Sequence, residues 1–179
     1  MKRFAAITLA LIMALICVPV TAEKADREIE GNLAVFTTAE DFAAGTLENV
    51  VTDESIGNGA IVLKEGESEG TYTSVVLGTA PFEYMVASWG ADTPKGTWID
   101  VSARAYVDMK KGWTEWLSWG RWGTGFARGC GTPETARDSL AYVDTDVFTL
   151  RDGKQALDQF QMRAVLTGSG GESPVLRQL

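Results

Sequence analysis

The stretch TWIDVSARAYVD, residues 97–108, constrains the fold of this chain more than any other. Ile99, Val101, Ala103, Ala105 and Val107 alternate without a break with Trp98, Asp100, Ser102, Arg104, Tyr106 and Asp108. Side chains of an extended strand point to opposite faces in turn, so an unbroken period of two reads as one long strand. Its apolar side packs inward. The second side mixes indole, phenol and charge, and meets water or a ligand. QFQMRAVL, residues 159–166, repeats the arrangement, with Phe160, Met162, Ala164 and Leu166 inside and Gln159, Gln161 and Arg163 outside. Each strand therefore sets an arginine on its open face. Spacing does not say whether Arg104 and Arg163 share one sheet.

Around these two strands the chain is punctuated by turn chemistry: GNG at 57–59, EGESEG at 65–70, TAP at 79–81, ADTPKG at 91–96, RDGK at 151–154 and GSGG at 168–171. Candidate strands lie between them at 47–52, 59–64, 71–78, 83–89, 97–108, 113–122, 141–150, 158–167 and 174–178. One short helix is signalled near residue 40, with Thr38 as N-cap, Asp41 three residues on and Gly45 as a stop. Many short apolar runs among 19 glycines predict an all-β fold. The expected architecture is a two-sheet antiparallel β-sandwich, jelly-roll or concanavalin-like, with a short N-terminal helix.

GWTEWLSWGRWG, residues 112–123, spaces Trp113, Trp116, Trp119 and Trp122 by three. Gly112, Gly120 and Gly123 each cost a helix about 1 kcal/mol relative to alanine, so a strand or irregular edge fits better. In an unbroken strand, Trp113 and Trp119 would share a face with Leu117, and Trp116 and Trp122 would share the other with Thr114 and Ser118. Two readings stay open. Two indoles can fill the core while two lie over the sheet, since half-buried positions suit a ring whose N–H needs a partner. Alternatively Trp98, Tyr106, Trp116 and Trp122 form a platform for a sugar ring or peptide, oriented by Arg104, Gln161 and Arg163. The W-x-x-W-x-x-W spacing also resembles thrombospondin type 1 repeats, but those modules rely on several disulfides that this chain cannot form.

The N-terminus carries Lys2 and Arg3, an apolar run Phe4–Val20 and small residues before Glu23, the layout of a secretory signal peptide over 1–22. Residues 23–33 read as a loose charged lead-in, and 34–179 as the domain. The expected location is secreted, with no membrane attachment after cleavage. The charge of −8 becomes −10 once Lys2 and Arg3 leave with the leader. An acidic domain is a poor partner for nucleic acid, which needs clustered cations against phosphate.

The chain has no histidine, which removes Ser-His-Asp and Cys-His catalysis and histidine metal ligands together. Cys130 is the single cysteine after the leader, so no intrachain disulfide is available. Arg128 beside it could activate a thiol, but with neither a base nor a resolving cysteine it reads as a spare thiol. Carboxylates remain: Asp100, Asp108, Glu115, Asp144 and Asp146 are candidates for an acid and base pair of a small glycoside hydrolase. Asp144, Asp146 and Asp152 could gather on Ca²⁺, though their spacing does not follow an EF-hand loop. The reading is of no catalytic residue, no metal and no cofactor.

Several elements together resemble a known family. SWGADTPKGTW at 88–98, WTEWLSWGRW at 113–122, VDTD at 143–146 and FQMR at 160–163 occur in an order similar to that in the N-terminal module of secreted bacterial C39-like peptidases. The resemblance covers roughly residues 34–179. It implies a non-catalytic β-sandwich that precedes a papain-like cysteine peptidase domain. No catalytic position of that peptidase has a match here. The implied role is attachment or substrate presentation for an extracellular polysaccharide or peptide, with the peptidase domain missing or supplied separately. A truncated fragment of such a peptidase is the alternative beside the hydrolase.

Overall fold

The computed structural model describes residues 25–108, 112–125, 133, 136–151 and 157–179. The leader, Cys130 and Asp152 lie outside them, as do the side chains of Asp108 and Leu157.

Strands β1 (Arg27–Glu28), β2 (Thr46–Glu48), β3 (Val50–Asp53), β4 (Ala60–Leu63), β5 (Glu69–Thr73), β6 (Leu77–Phe82), β7 (Tyr84–Val86) and β8 (Gly90–Asp92) make up the first half. The helix α1 (Ala39–Ala43) interrupts them once. Strands β9 (Trp98–Asp108), β10 (Gly112–Trp113), β11 (Leu117–Trp122), β12 (Ala141–Asp144), β13 (Val147–Leu150), β14 (Leu157–Thr167) and β15 (Val175–Gln178) make up the second.

β14 is the spine of the largest sheet. One of its edges pairs with β9 from Gln159↔Tyr106 to Thr167↔Trp98. Its other edge pairs with β6 near Phe160 and with β5 from Arg163 onward. β2 continues beyond β5, β1 lies parallel beyond β6, and β10 and β11 pair with the far edge of β9. Two smaller antiparallel sheets, in the orders β3-β4-β15-β8 and β12-β13-β7, supply the facing layer. The fold is an all-β sandwich.

The core sits where the alternation places it. Ile99, Val101, Ala103, Ala105 and Val107 of β9 and Phe160, Met162, Ala164 and Leu166 of β14 are buried. They share one cluster with Val50, Ile61 and Leu176 of the four-stranded sheet and Phe148 and Leu150 of the three-stranded sheet. Burying each larger aliphatic side chain stabilises by about 1.5–3 kcal/mol. The helix signal also appears in the structure. Thr38 Oγ1 accepts the Asp41 N–H at 3.1 Å, and Asp41 Oδ2 accepts the Thr38 N–H at 3.1 Å. Phe42 turns into the core against Phe36 and Tyr72.

The departures from the expected strands have local causes. The run 47–52 breaks at Asn49, whose φ of 55° lies in the left-handed region. The run 71–78 divides into β5 and β6, which follow one edge of β14 with a bulge between. There Ser74 Oγ accepts the Met162 N–H at 2.9 Å, holding the interruption to the spine. TAP at 79–81, read as a turn, lies inside β6, and β8 runs on into Ala91 and Asp92, the start of the turn expected at 91–96. The lead-in is not loose throughout. Arg27–Glu28 pairs with Leu77–Gly78, and Asp26 Oδ2 accepts the Val76 N–H at 2.9 Å.

Candidate functional site: the outer face of the large sheet

The β9–β14 register answers the question that spacing left open. Gln161 lies opposite Arg104, and Arg163 lies opposite Ser102, so both arginines stand on the outer face of one sheet. Gln161 ties β9 to the neighbouring strands on this face. Its Oε1 accepts from Arg104 Nε at 2.9 Å and Nη2 at 2.6 Å, and its Nε2 donates to the Ser74 carbonyl at 2.8 Å. A charged fork closed on one oxygen is a strong contact, and it holds the guanidinium in place.

The tryptophans arrive differently from a plain strand. The chain leaves the ladder after Trp113. The Thr114 hydroxyl accepts the Ala105 N–H at 3.1 Å, in the place of a ladder carbonyl. Trp113 and Trp116 consequently share the outer face. Trp113 meets Tyr106 edge to face at 5.6 Å, and Arg104 lies 4.6 Å from the Trp113 ring and 4.9 Å from the Trp116 ring. Arg163 lies 4.4 Å from the Trp116 ring. Trp113 therefore belongs to the site although strand parity assigned it elsewhere.

A second irregularity moves Trp122. Ser118 pairs with Ser102 but Arg121 pairs with Asp100, so Gly120, at φ 92°, is an extra residue that reverses the parity beyond it. Trp122 then pairs with Ile99, a core position, and its 36% exposure comes from the sheet's end. It does not join Trp116. Arg121 takes the outer position instead, 5.2 Å above the Trp98 ring. Trp119 turns inward with Leu117, packs beside Phe148 and donates from Nε1 to the Asp146 carbonyl at 3.1 Å.

Of the expected platform, Trp98, Arg104, Trp116 and Arg163 are half-buried on the outer face. Tyr106 at 5% and Gln161 at 8% exposure are supports beneath it and not contact surface. Tyr106 is a correction: its hydroxyl is buried and has no hydrogen-bond partner among the described residues. Trp113, Arg121, Ser102, Ser118 and Asp100 are additions. Only the glycine of the bulge carried a readable signal for them.

Arg163 is the least comfortable charge on the face. Burial pulls its guanidinium below the ordinary arginine range, nearby Arg104 adds to that, and Asp100 opposes it. Asp100 Oδ1 accepts the Ser118 hydroxyl at 2.5 Å, and Ser118 Oγ accepts the Gly120 N–H at 2.7 Å. Between Trp98, Ser102, Ser118, Arg121 and Arg163 runs an open groove of about 220 Å³.

Of the other expected carboxylates, Asp108 has its side chain outside the described residues, and the remaining three do not line the groove with Asp100. Glu115 is exposed beside Asp138, whose Oδ2 accepts its N–H at 2.8 Å, and Asp144 and Asp146 stand in the β12–β13 turn of the facing layer. Among the described residues no group of three acidic, cysteine or histidine side chains is placed to hold a metal ion. The arrangement sets guanidinium donors, hydroxyl and carboxylate acceptors and half-buried indoles side by side on one sheet face.

Among curated proteins, none matches the chain. Residues 32–179 match the family described as Peptidase C39 N-terminal domain. That span takes in the sandwich from just before Leu33 to the last strand, and with it the whole outer face, so the chain belongs to the Peptidase C39 N-terminal domain family.

Proposed function

We propose that this chain is a secreted, non-catalytic accessory module that holds an extracellular polymer for a C39-type peptidase domain, carried on the same polypeptide or a separate one. The observation that carries the reading is the gathering of Trp98, Trp116, Arg104 and Arg163 on one sheet face. Segments 57 residues apart in sequence are joined there by the Arg104–Gln161 fork. Polar groups placed precisely around aromatic surface are what a polymer-binding face needs. Family membership supports the partnership with a peptidase, and the leader supports export. The chain's lack of histidine agrees with a role outside the chemical step.

The test is a titration of the purified chain with soluble cell-surface polysaccharides, read by tryptophan fluorescence and calorimetry. Saturable binding that disappears in Arg163→Ala, with unchanged thermal unfolding, supports the reading. Absence of binding to every polysaccharide tried would sink it. Release of reducing ends by the chain alone would move it to the carboxylate hydrolase class.

A further inference from the structure

We propose that the groove between Arg121 and Arg163 is a subsite for an isolated carboxylate of an acidic glycan, a uronic acid residue flanked by neutral hydroxyls. The inference rests on the binding role above and names the ligand class of that same face.

Each indole of this face already has an arginine against its ring. Arg104 lies against Trp113, Arg104 and Arg163 both lie against Trp116, and Arg121 lies against Trp98. A ligand stacking on these rings competes with an arginine for the covered face. Guanidinium donors, in contrast, are available. Among the described residues, the one hydrogen bond of Arg163 is a long one, Nε to Ser102 Oγ at 3.3 Å, and neither Arg163 nor Arg121 has a carboxylate within ion-pair distance. Arg163 therefore holds an incompletely solvated charge with both Nη groups unspent, and Arg121 brings a second fork to the same groove. Two forks facing one groove fit a planar carboxylate.

The remaining lining decides what the carboxylate is attached to. Asp100, Ser102 and Ser118 supply acceptors and donors for hydroxyls, and Glu69 stands at the rim. The two acidic residues balance the two arginines, and the chain is acidic as a whole. A densely charged polyanion would be repelled, whereas a lone carboxylate among hydroxyls matches the lining. The groove also crosses the sheet face from β14 over β9 to the edge strand β11, and the two strands at its middle are paired on both sides, β14 by β5 and β9 and β9 by β14 and β11. There it offers side chains and no unpaired strand backbone, which favours a glycan over a peptide seeking main-chain pairing.

The experiment compares four ligands on the full chain by calorimetry at constant ionic strength: a xylo-oligosaccharide bearing a single glucuronic acid, the same oligomer after carboxyl reduction, its methyl ester, and poly-glutamate. The singly acidic oligomer is expected to bind at least tenfold more tightly than the reduced or esterified forms and than poly-glutamate. Arg121→Gln and Arg163→Gln should each remove about tenfold of that preference, one charge-assisted contact's worth. Arg163→Lys, which keeps the charge and the packed stem, serves where Arg163→Gln disturbs folding, and should lose the preference severalfold. Equal binding of the reduced oligomer overturns the carboxylate subsite and leaves the binding module standing. Tighter binding of poly-glutamate overturns it in favour of a peptide. No binding of any of the four overturns the subsite, and the polysaccharide titration described above then decides the general reading by itself.

Discussion

Gln161→Met tests the joint on which the outer face is assembled. Methionine fills nearly the same volume, so the loss is one of hydrogen bonding and leaves almost no cavity. Two N–H groups of the Arg104 guanidinium lose their acceptor, at 2.9 and 2.6 Å, and the Ser74 carbonyl loses the donor at 2.8 Å. A bond to a charged partner contributes about 1.5–3 kcal/mol, and a buried carbonyl left without its donor costs about 1–3 kcal/mol. Arg104 keeps its stacking on Trp113 and Trp116, which holds the sum toward the lower half of that range, at about 3 kcal/mol. In a domain of this size that lowers the melting temperature by about 6–12 °C. Urea unfolding followed by circular dichroism should show a lower midpoint with an unchanged slope. A double-mutant cycle with Arg104→Met isolates the pair, and its coupling should be about 1.5 kcal/mol or more. A total loss under about 1 kcal/mol, or a coupling under about 0.5 kcal/mol, would refute the reasoning.

Thr145→Asn should stabilise the β12–β13 hairpin by about 1 kcal/mol, since Thr145 is a β-branched residue at φ 56° where asparagine is at ease; an unchanged urea midpoint would count against it. Asp41→Asn should cost about 1 kcal/mol at neutral pH through loss of the capping box. Burial works to raise the Asp41 carboxyl, but bonds from Thr37 and Thr38 and the charge of Arg27 outweigh it and hold the group below 3.8. Its stabilisation is therefore present above the unfolded value near 3.8 and is lost as pH falls through the lower folded value, so the gap between wild type and variant should close in acid. A gap independent of pH would contradict this. Gly70→Ala should destabilise by about 2 kcal/mol or more, because its Cβ would stand 2.7 Å from the Asn49 carbonyl oxygen and 2.7 Å from Val50 Cγ1; calorimetric unfolding reads the cost directly.

Much of the fold was legible because its signals are local. The period of two in 97–108 and 159–166 marks both the long strands and their buried sides, and each inner residue of β9 is in the core. The helix start at Thr38 was equally readable, since the capping box closes within four residues. The site was legible only as two separate half-faces. Arg104 and Arg163 could be assigned to outer positions of their own strands, but not to each other. Tyr106 shows the limit of parity: it stands on the outer side, as alternation requires, yet Trp113 covers it. The tryptophan run misled for a similar reason. Parity holds only while the strand is regular, and this one is interrupted twice, at Thr114 and at Gly120.

By itself, the order of residues determined that the chain makes strands, which side of the long ones is buried, where the short helix begins, and that no imidazole is present to move protons. Those are properties of neighbours along the backbone, carried by side-chain direction and by bonds a few residues long. The register of β9 against β14, the fork from Arg104 to Gln161 and the arginines laid over the indoles were decided only in the assembled sandwich. Ladder pairing across 57 residues depends on how every intervening segment packs, and one extra residue in a neighbouring strand turns the following side chains to the other face.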